Sequence, residues 1–160
     1  MNRADDFIEK LKLEKHIEGG SFKQVYKSTH KMPMPGYGGE RSLATAIYFL
    51  LAGEDFSAFH RLKSDEIWAF NYGSPLTLYV IEENGSLKKY ILGDAKNPSY
   101  QITILAHQWF AAEVNDKTFF TLVSCIVAPG FEYDDFELAD REKLTARYPK
   151  HADIISQFTR

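Results

Sequence analysis

Residues 76–92 read Leu76-Thr77-Leu78-Tyr79-Val80-Ile81-Glu82-Glu83-Asn84-Gly85-Ser86-Leu87-Lys88-Lys89-Tyr90-Ile91-Leu92. Two runs rich in aliphatic and aromatic residues flank a polar, glycine-containing centre. That pattern predicts a β-hairpin, because Asn84-Gly85 readily supplies the left-handed backbone conformations of a two-residue turn. Outward from it the pattern repeats. Residues 44–51, 57–62, 66–72, 100–105, 109–114 and 118–127 are further short apolar runs separated by turn residues such as Gly53 and Gly73-Ser74-Pro75. Repeated strand-helix units are absent, so the expectation is an all-β sandwich or barrel.

The ends of the chain read differently. Residues 5–13 predict a short helix with Phe7, Ile8 and Leu11 as its apolar stripe. Phe22, Gln24 and Tyr26 fall on one side of a strand, and the prolines and glycines of residues 32–39 predict a loop crossing the mouth of the domain. After Pro129-Gly130 the pattern changes. Asp140 caps an expected helix through Tyr148, Pro149 breaks it, and a last helix over 151–158 packs Ile154, Ile155 and Phe158 inward.

The 160 residues, with net charge −3, suit one domain spanning 1–160. No concentrated basic stripe exists to neutralise phosphates, so nucleic acid is not an expected partner. Asp5, Asp6 and Glu9 precede any apolar stretch and no run has membrane-spanning length, which predicts a cytoplasmic chain without a membrane partner. Cys125 is the single cysteine and sits in an apolar run, as a buried structural thiol does.

His60 is the most informative chemical residue, because a neutral imidazole can bind a metal, move a proton or hydrogen-bond a ligand. Glu66 is its expected companion if the two segments form neighbouring antiparallel strands with both side chains turned inward. Tyr48 is a candidate to orient the imidazole or contact a ligand. Phe22, Tyr26, Trp68, Phe70 and Phe110 are candidate pocket walls, although core packing explains any one of them alone. His107 might approach from another strand, while His16, His30 and His151 have weaker claims as ligands. Asp134, Asp135 and Glu137 read as a solvated acidic turn.

Several ordered segments resemble the cupin superfamily, and within it a small uncharacterised bacterial and fungal family. They are Glu18-Gly19-Gly20 with Tyr26, residues 47–51, Ser57-Ala58-Phe59-His60-Arg61, Ser64-Asp65-Glu66-Ile67-Trp68 and Val127-Ala128-Pro129-Gly130-Phe131. The resemblance implies a double-stranded β-helix, the RmlC-like jelly roll, with short terminal helices, and a homodimer. It aligns Gly53, His60, Glu66 and Gly73 with the first cupin motif, but Leu62 stands at the usual second histidine. In the second motif Leu105 and His107 replace the usual proline and glycine, and Phe110 stands at the usual third histidine. Ala69 replaces a histidine expected after the tryptophan in closely similar proteins. These departures imply no metal and no cofactor. The expected function is binding of a small polar or carbohydrate-like molecule. The alternatives are a metal-independent sugar isomerase or epimerase with His60 as base, or an oligomeric structural or regulatory protein.

Overall fold

Strand alternation dictates which residues of this chain meet. In the computed structural model, which describes residues 3–160, strand β5 (Thr45–Ala52) turns Phe49 and Leu51 toward the core between the sheets and Tyr48 and Leu50 the other way. Ahead of it lie helix α1 (Arg3–Leu11), β1 (Glu14–Lys15), β2 (Ser21–Lys27), β3 (Lys31–Met34) and β4 (Gly39–Ser42). After it follow β6 (Phe56–Leu62), β7 (Asp65–Gly73), β8 (Leu76–Ile81), β9 (Leu87–Leu92), β10 (Gln101–Ile104), β11 (Trp109–Val114), β12 (Phe120–Ala128) and β13 (Phe136–Leu138). Helices α2 (Arg141–Arg147) and α3 (Ala152–Gln157) close the chain.

The strands form a six-stranded sheet ordered β1-β2-β5-β12-β7-β10 and a five-stranded sheet ordered β13-β6-β11-β8-β9, with β3-β4 a separate hairpin. The two sheets face each other in a jelly-roll arrangement, and the core between them takes Phe49, Trp68 and Val123 from one and Leu78, Val80 and Phe110 from the other. Each such fully buried side chain contributes roughly 1.5–3 kcal/mol. α1 covers the outer face of the larger sheet through Ala4, Phe7 and Ile8. α2 and α3 cover the smaller sheet, setting Leu144, Ile155 and Phe158 against Phe59, Tyr79 and Trp109. The Asp140 side chain accepts the Lys143 amide at 3.0 Å and starts α2 as its composition predicts.

Three local expectations are corrected. The β8–β9 connection is a longer loop in which Gly85 alone is left-handed (φ 79°) and the Gly85 amide bonds the Glu82 carbonyl, with Glu82 and Ser86 as the closing pair. This is a type I turn with a glycine bulge, the next commonest hairpin. Residues 32–39 are not an irregular loop, because β3 and β4 pair from Lys31↔Ser42 to Met34↔Gly39. Asp135 is not solvated. It is buried and accepts from Arg41 Nε at 2.6 Å and Nη2 at 2.9 Å, which also raises the Arg41 pKa.

Two bulges place the site. In β2, Gln24 pairs with Ile47 and Tyr26 with Ala46, so Val25 is an extra residue that reverses the alternation. In β6 the register against β11 shifts between Ser57↔Ala112 and His60↔Phe110. The freed Ala58 amide donates to the Glu18 carbonyl at 2.7 Å and the Phe59 amide to the Phe158 carbonyl at 2.8 Å. β6 thus anchors both the segment before β2 and the end of the last helix.

Gly19 makes the first anchor possible. Its φ is 112°, and a Cβ there would lie 1.9 Å from the Phe56 carbonyl oxygen. Gly36, also left-handed at φ 84°, has open space around it. Gly36→Ala is therefore expected to destabilise by about 1–2 kcal/mol and Gly19→Ala by about 3 kcal/mol or more. Equal losses in urea denaturation would contradict the close approach at Gly19.

Candidate functional site

A cavity of about 160 Å³ opens between the sheets. β6 contributes His60 and Leu62, β7 contributes Glu66 and Trp68, β5 contributes Ile47 and Phe49, and residues 131–136 supply a further wall. His60 and Glu66 reach it from opposite sheets rather than from paired neighbours, because β6 pairs with β11 and β13 while β7 pairs with β12 and β10. Leu62 and Trp68 sit two residues further along their strands, on the same faces, and line it as well.

The inner end is ionisable and almost dry. Glu18, His60 and Glu66 are 6%, 2% and 7% exposed. Glu18 receives the Ser57 hydroxyl on Oε1 at 2.9 Å, while its Oε2 lies 3.3 Å from His60 Nε2 and 3.5 Å from His16 Nδ1. His60 Nδ1 is 2.7 Å from the Ala58 carbonyl, which only accepts, so Nδ1 carries a proton. Nε2 then faces a carboxylate oxygen. That approach is a charge contact rather than a hydrogen bond. His16 Nδ1 accepts the Glu18 amide at 3.2 Å and is therefore bare, which fixes a neutral ring.

The electrostatics follow from burial. Burial pushes the Glu18 carboxyl up to about 7 against the opposing effects of His16 and Ser57. Burial likewise pushes Glu66 up to about 7; His60 and the Trp68 indole oppose this and Glu18 adds to it. Burial draws His60 and His16 below their ordinary values. Cys125, buried in the cavity wall, is pushed well up by burial and by Glu66 and Glu18. Glu66 Oε2 and the Trp68 indole nitrogen are buried without a hydrogen-bond partner.

The mouth is built by long contacts. Lys27 Nζ meets Glu132 Oε1 at 2.6 Å, and Tyr133 and Phe131 pack edge to face with centroids 5.0 Å apart. No residue of β3 or β4 lines the cavity. That hairpin acts at a distance, through the Arg41 fork that holds Asp135 and with it the 131–136 wall.

The expected site residues divide. His60, Glu66, Phe22 and Trp68 line the cavity. Phe110 lies behind it, its ring 4.1 Å from that of His60. Phe70 packs against the core and near Tyr100, at 6.1 Å between centroids, away from the cavity. Tyr26 is exposed because the Val25 bulge turns it outward and brings Lys27 in. Tyr48 packs under α1, the opposite face from Phe49. His16 and Glu18 were not singled out as a pair. The available signal was His16 two residues before Glu18-Gly19-Gly20, but only the β6 bulge brings that segment to His60. His107 does not line the cavity. At the positions where cupins of the metal-binding kind carry further histidines, Leu62 and Phe110 offer no donor. Among the described residues no group of three or more His, Cys, Asp or Glu side chains is arranged to hold a metal ion. The residues present do not fit one.

Glu66 carries a linkage signature. Its folded pKa of about 7 lies above the ordinary 4.5, so the folded chain holds the proton more tightly, and its contribution to stability is full below pH 4.5 and lost as pH rises to about 7. The stability of the native chain relative to Glu66→Gln is expected to fall across that interval and level off above it. Urea denaturation at several pH values reads this, and a pH-independent difference would contradict it.

The family model described as "Cupin superfamily (DUF985)" matches residues 5–139. The chain is similar to a solved protein of Shewanella oneidensis, at 40% identity over 100% of this chain and 99% of that one, with a TM-score of 0.90. It is similar to a hypothetical protein from Leishmania major at 34% identity over 99% of each chain, again with a TM-score of 0.90. Oxalate decarboxylase from Bacillus subtilis shares the fold alone, at 11% identity over 90% of this chain and 36% of the enzyme, with a TM-score of 0.58. No curated protein matches the sequence. With a family model spanning most of its length and two full-length likenesses above 30% identity, the chain belongs to the cupin superfamily, in the family DUF985.

Proposed function

We propose that this protein binds a small polar, carbohydrate-like molecule in the cavity between its sheets. The observation that carries the reading is the pair of unpartnered buried groups on the cavity wall, Glu66 Oε2 and the Trp68 indole N–H. An unmet buried polar group costs about 1–3 kcal/mol. A cavity near 150 Å³ holds one six-membered ring, which suits about 160 Å³. Aromatic side chains, among them Phe22, Phe49 and Trp68, share the walls with polar groups that can orient a ligand.

Binding is better supported than proton abstraction by His60, because both ring nitrogens are taken, Nδ1 by Ala58 and Nε2 by Glu18. A base needs a free lone pair within reach of the substrate. The isomerase alternative would require His60 to leave Glu18, and solvent-deuterium exchange into a bound sugar derivative, lost in His60→Asn, would favour it.

The quaternary part of the proposal is a homodimer. β1 pairs with β2 only at Ser21 and Phe22, which leaves the edge from Lys23 to Lys27 open, with Val25 and Tyr26 exposed beside it. An open edge with apolar side chains is a surface on which a second strand can pair.

Trp68 reports on the cavity and Trp109 does not line it, so Trp109→Phe isolates the signal. Titration of that variant with a panel of monosaccharides and cyclic polyols is expected to change its fluorescence, and Ile47→Phe, which fills part of the cavity, to weaken the affinity about tenfold or more. A folded protein that responds to no panel member would remove the binding reading. Light scattering is expected to give twice the chain mass at micromolar concentration, reverting toward the monomer in Tyr26→Glu. A monomer throughout would remove the dimer.

A further inference from the structure

Charge on the cavity wall narrows the ligand further than shape does. Among the described residues the one Lys or Arg side chain that lines it is Lys27, at the mouth, and its ammonium is held by Glu132 at 2.6 Å. Three carboxyl groups line the same space: Glu18, Glu66 and Glu132. Glu132 is matched by Lys27. His60 is drawn below its ordinary value by burial and so brings no standing positive charge to the 3.3 Å contact with Glu18. His16 is fixed neutral by the amide it accepts. With both imidazoles held neutral, neither Glu18 nor Glu66 faces a cation among the described residues, and Glu66 Oε2 is buried without a hydrogen-bond partner.

Four groups face Glu66 from the elements packed against it. They are His60 from β6, Glu18 from the segment before β2, Trp68 from its own strand and Cys125 from β12. None is an unpaired cation. An anionic ligand would enter a space that offers no free positive charge and would lie near a carboxyl group it repels. A cation would find the reverse. Around the same space stand Phe22, Phe49, Trp68, Phe131, Tyr133 and Phe136, whose ring faces attract positive charge. Aromatic walls combined with a buried, unpaired carboxyl form the arrangement that recognises an organic ammonium.

Resting on the binding reading above, we infer that the cavity takes a ring-sized organic cation, an amine whose ammonium seats against Glu66 within the aromatic walls. The Trp68 N–H is left for an acceptor on the same ligand, such as a hydroxyl. Sugar-like shape and positive charge are compatible in an amino sugar or a cyclic amino alcohol. Phosphorylated and carboxylated sugars are rejected.

The test uses three probes of one size and different charge: cyclohexylammonium, cyclohexanol and cyclohexanecarboxylate, titrated into the full chain at pH 7 by calorimetry. The ammonium is expected to bind about tenfold or more tightly than the alcohol, and the carboxylate not measurably. Glu66→Gln is expected to cut ammonium affinity about tenfold and alcohol affinity less than about threefold. Because that variant also alters the wall, a second readout uses the native chain. In buffers of different ionisation enthalpy, ammonium binding is expected to release protons, since the bound cation draws the Glu66 carboxyl into its charged form, while the alcohol releases none.

Ammonium binding no tighter than alcohol, or a carboxylate that binds as well, overturns the cation assignment; so does ammonium binding without proton release. The monosaccharide and polyol panel separates the two failures. A neutral panel member that binds while the ammonium is not favoured leaves the cavity as a ligand site for uncharged molecules. Failure of both sets removes the ligand site itself.

Discussion

Everything in this cavity depends on the contact between Glu18 and His60. A carboxyl group and an imidazole 3.3 Å apart, both nearly sealed from water, are tolerable because burial suppresses the charge of each and their remaining atoms are satisfied. Ser57 and the Ala58 carbonyl meet the second requirement. The contact is long-range in the chain, so much of the fold serves it. The β6 bulge turns the Ala58 amide to the Glu18 carbonyl. Asp55 accepts the Gly20 amide at 2.8 Å and the Arg160 guanidinium at 2.7 Å, tying the last residue of the chain to the same loop. Glycine at position 19 is the condition for that approach.

The fold was readable because hydrophobic alternation and turn chemistry act locally. The runs flanking Asn84-Gly85 are strands at the residues expected, and the Asp140 cap and Pro149 break bound α2 as composition implies. The errors came where one residue changes the phase. The extra residue at Val25 sends Tyr26 outward and Lys27 inward, and no propensity marks it. Pairing partners were also hidden. His60 and Glu66 are six positions apart with a polar turn between, which reads as a hairpin, yet their strands belong to opposite sheets.

The site was half readable for the same reason. His60, Glu66, Trp68 and Phe22 carry their signal in residue type and alternation. His16 and Glu18 lie in a segment with no periodicity and acquire their place through tertiary hydrogen bonds. Asp135 illustrates the converse, since an acidic run reads as solvated until Arg41 arrives from a hairpin 94 positions away. The relatives in Shewanella oneidensis and Leishmania major share the whole fold. The likeness to oxalate decarboxylase is confined to it.

The account turns on where the protons of His60 reside. Nitrogen-15 NMR of the imidazole at neutral pH measures this directly. The structure requires Nδ1 to be protonated, because the Ala58 carbonyl 2.7 Å away only accepts. A bare Nδ1, with the proton on Nε2 alone, would place two acceptors 2.7 Å apart at Ala58 and contradict the site as described.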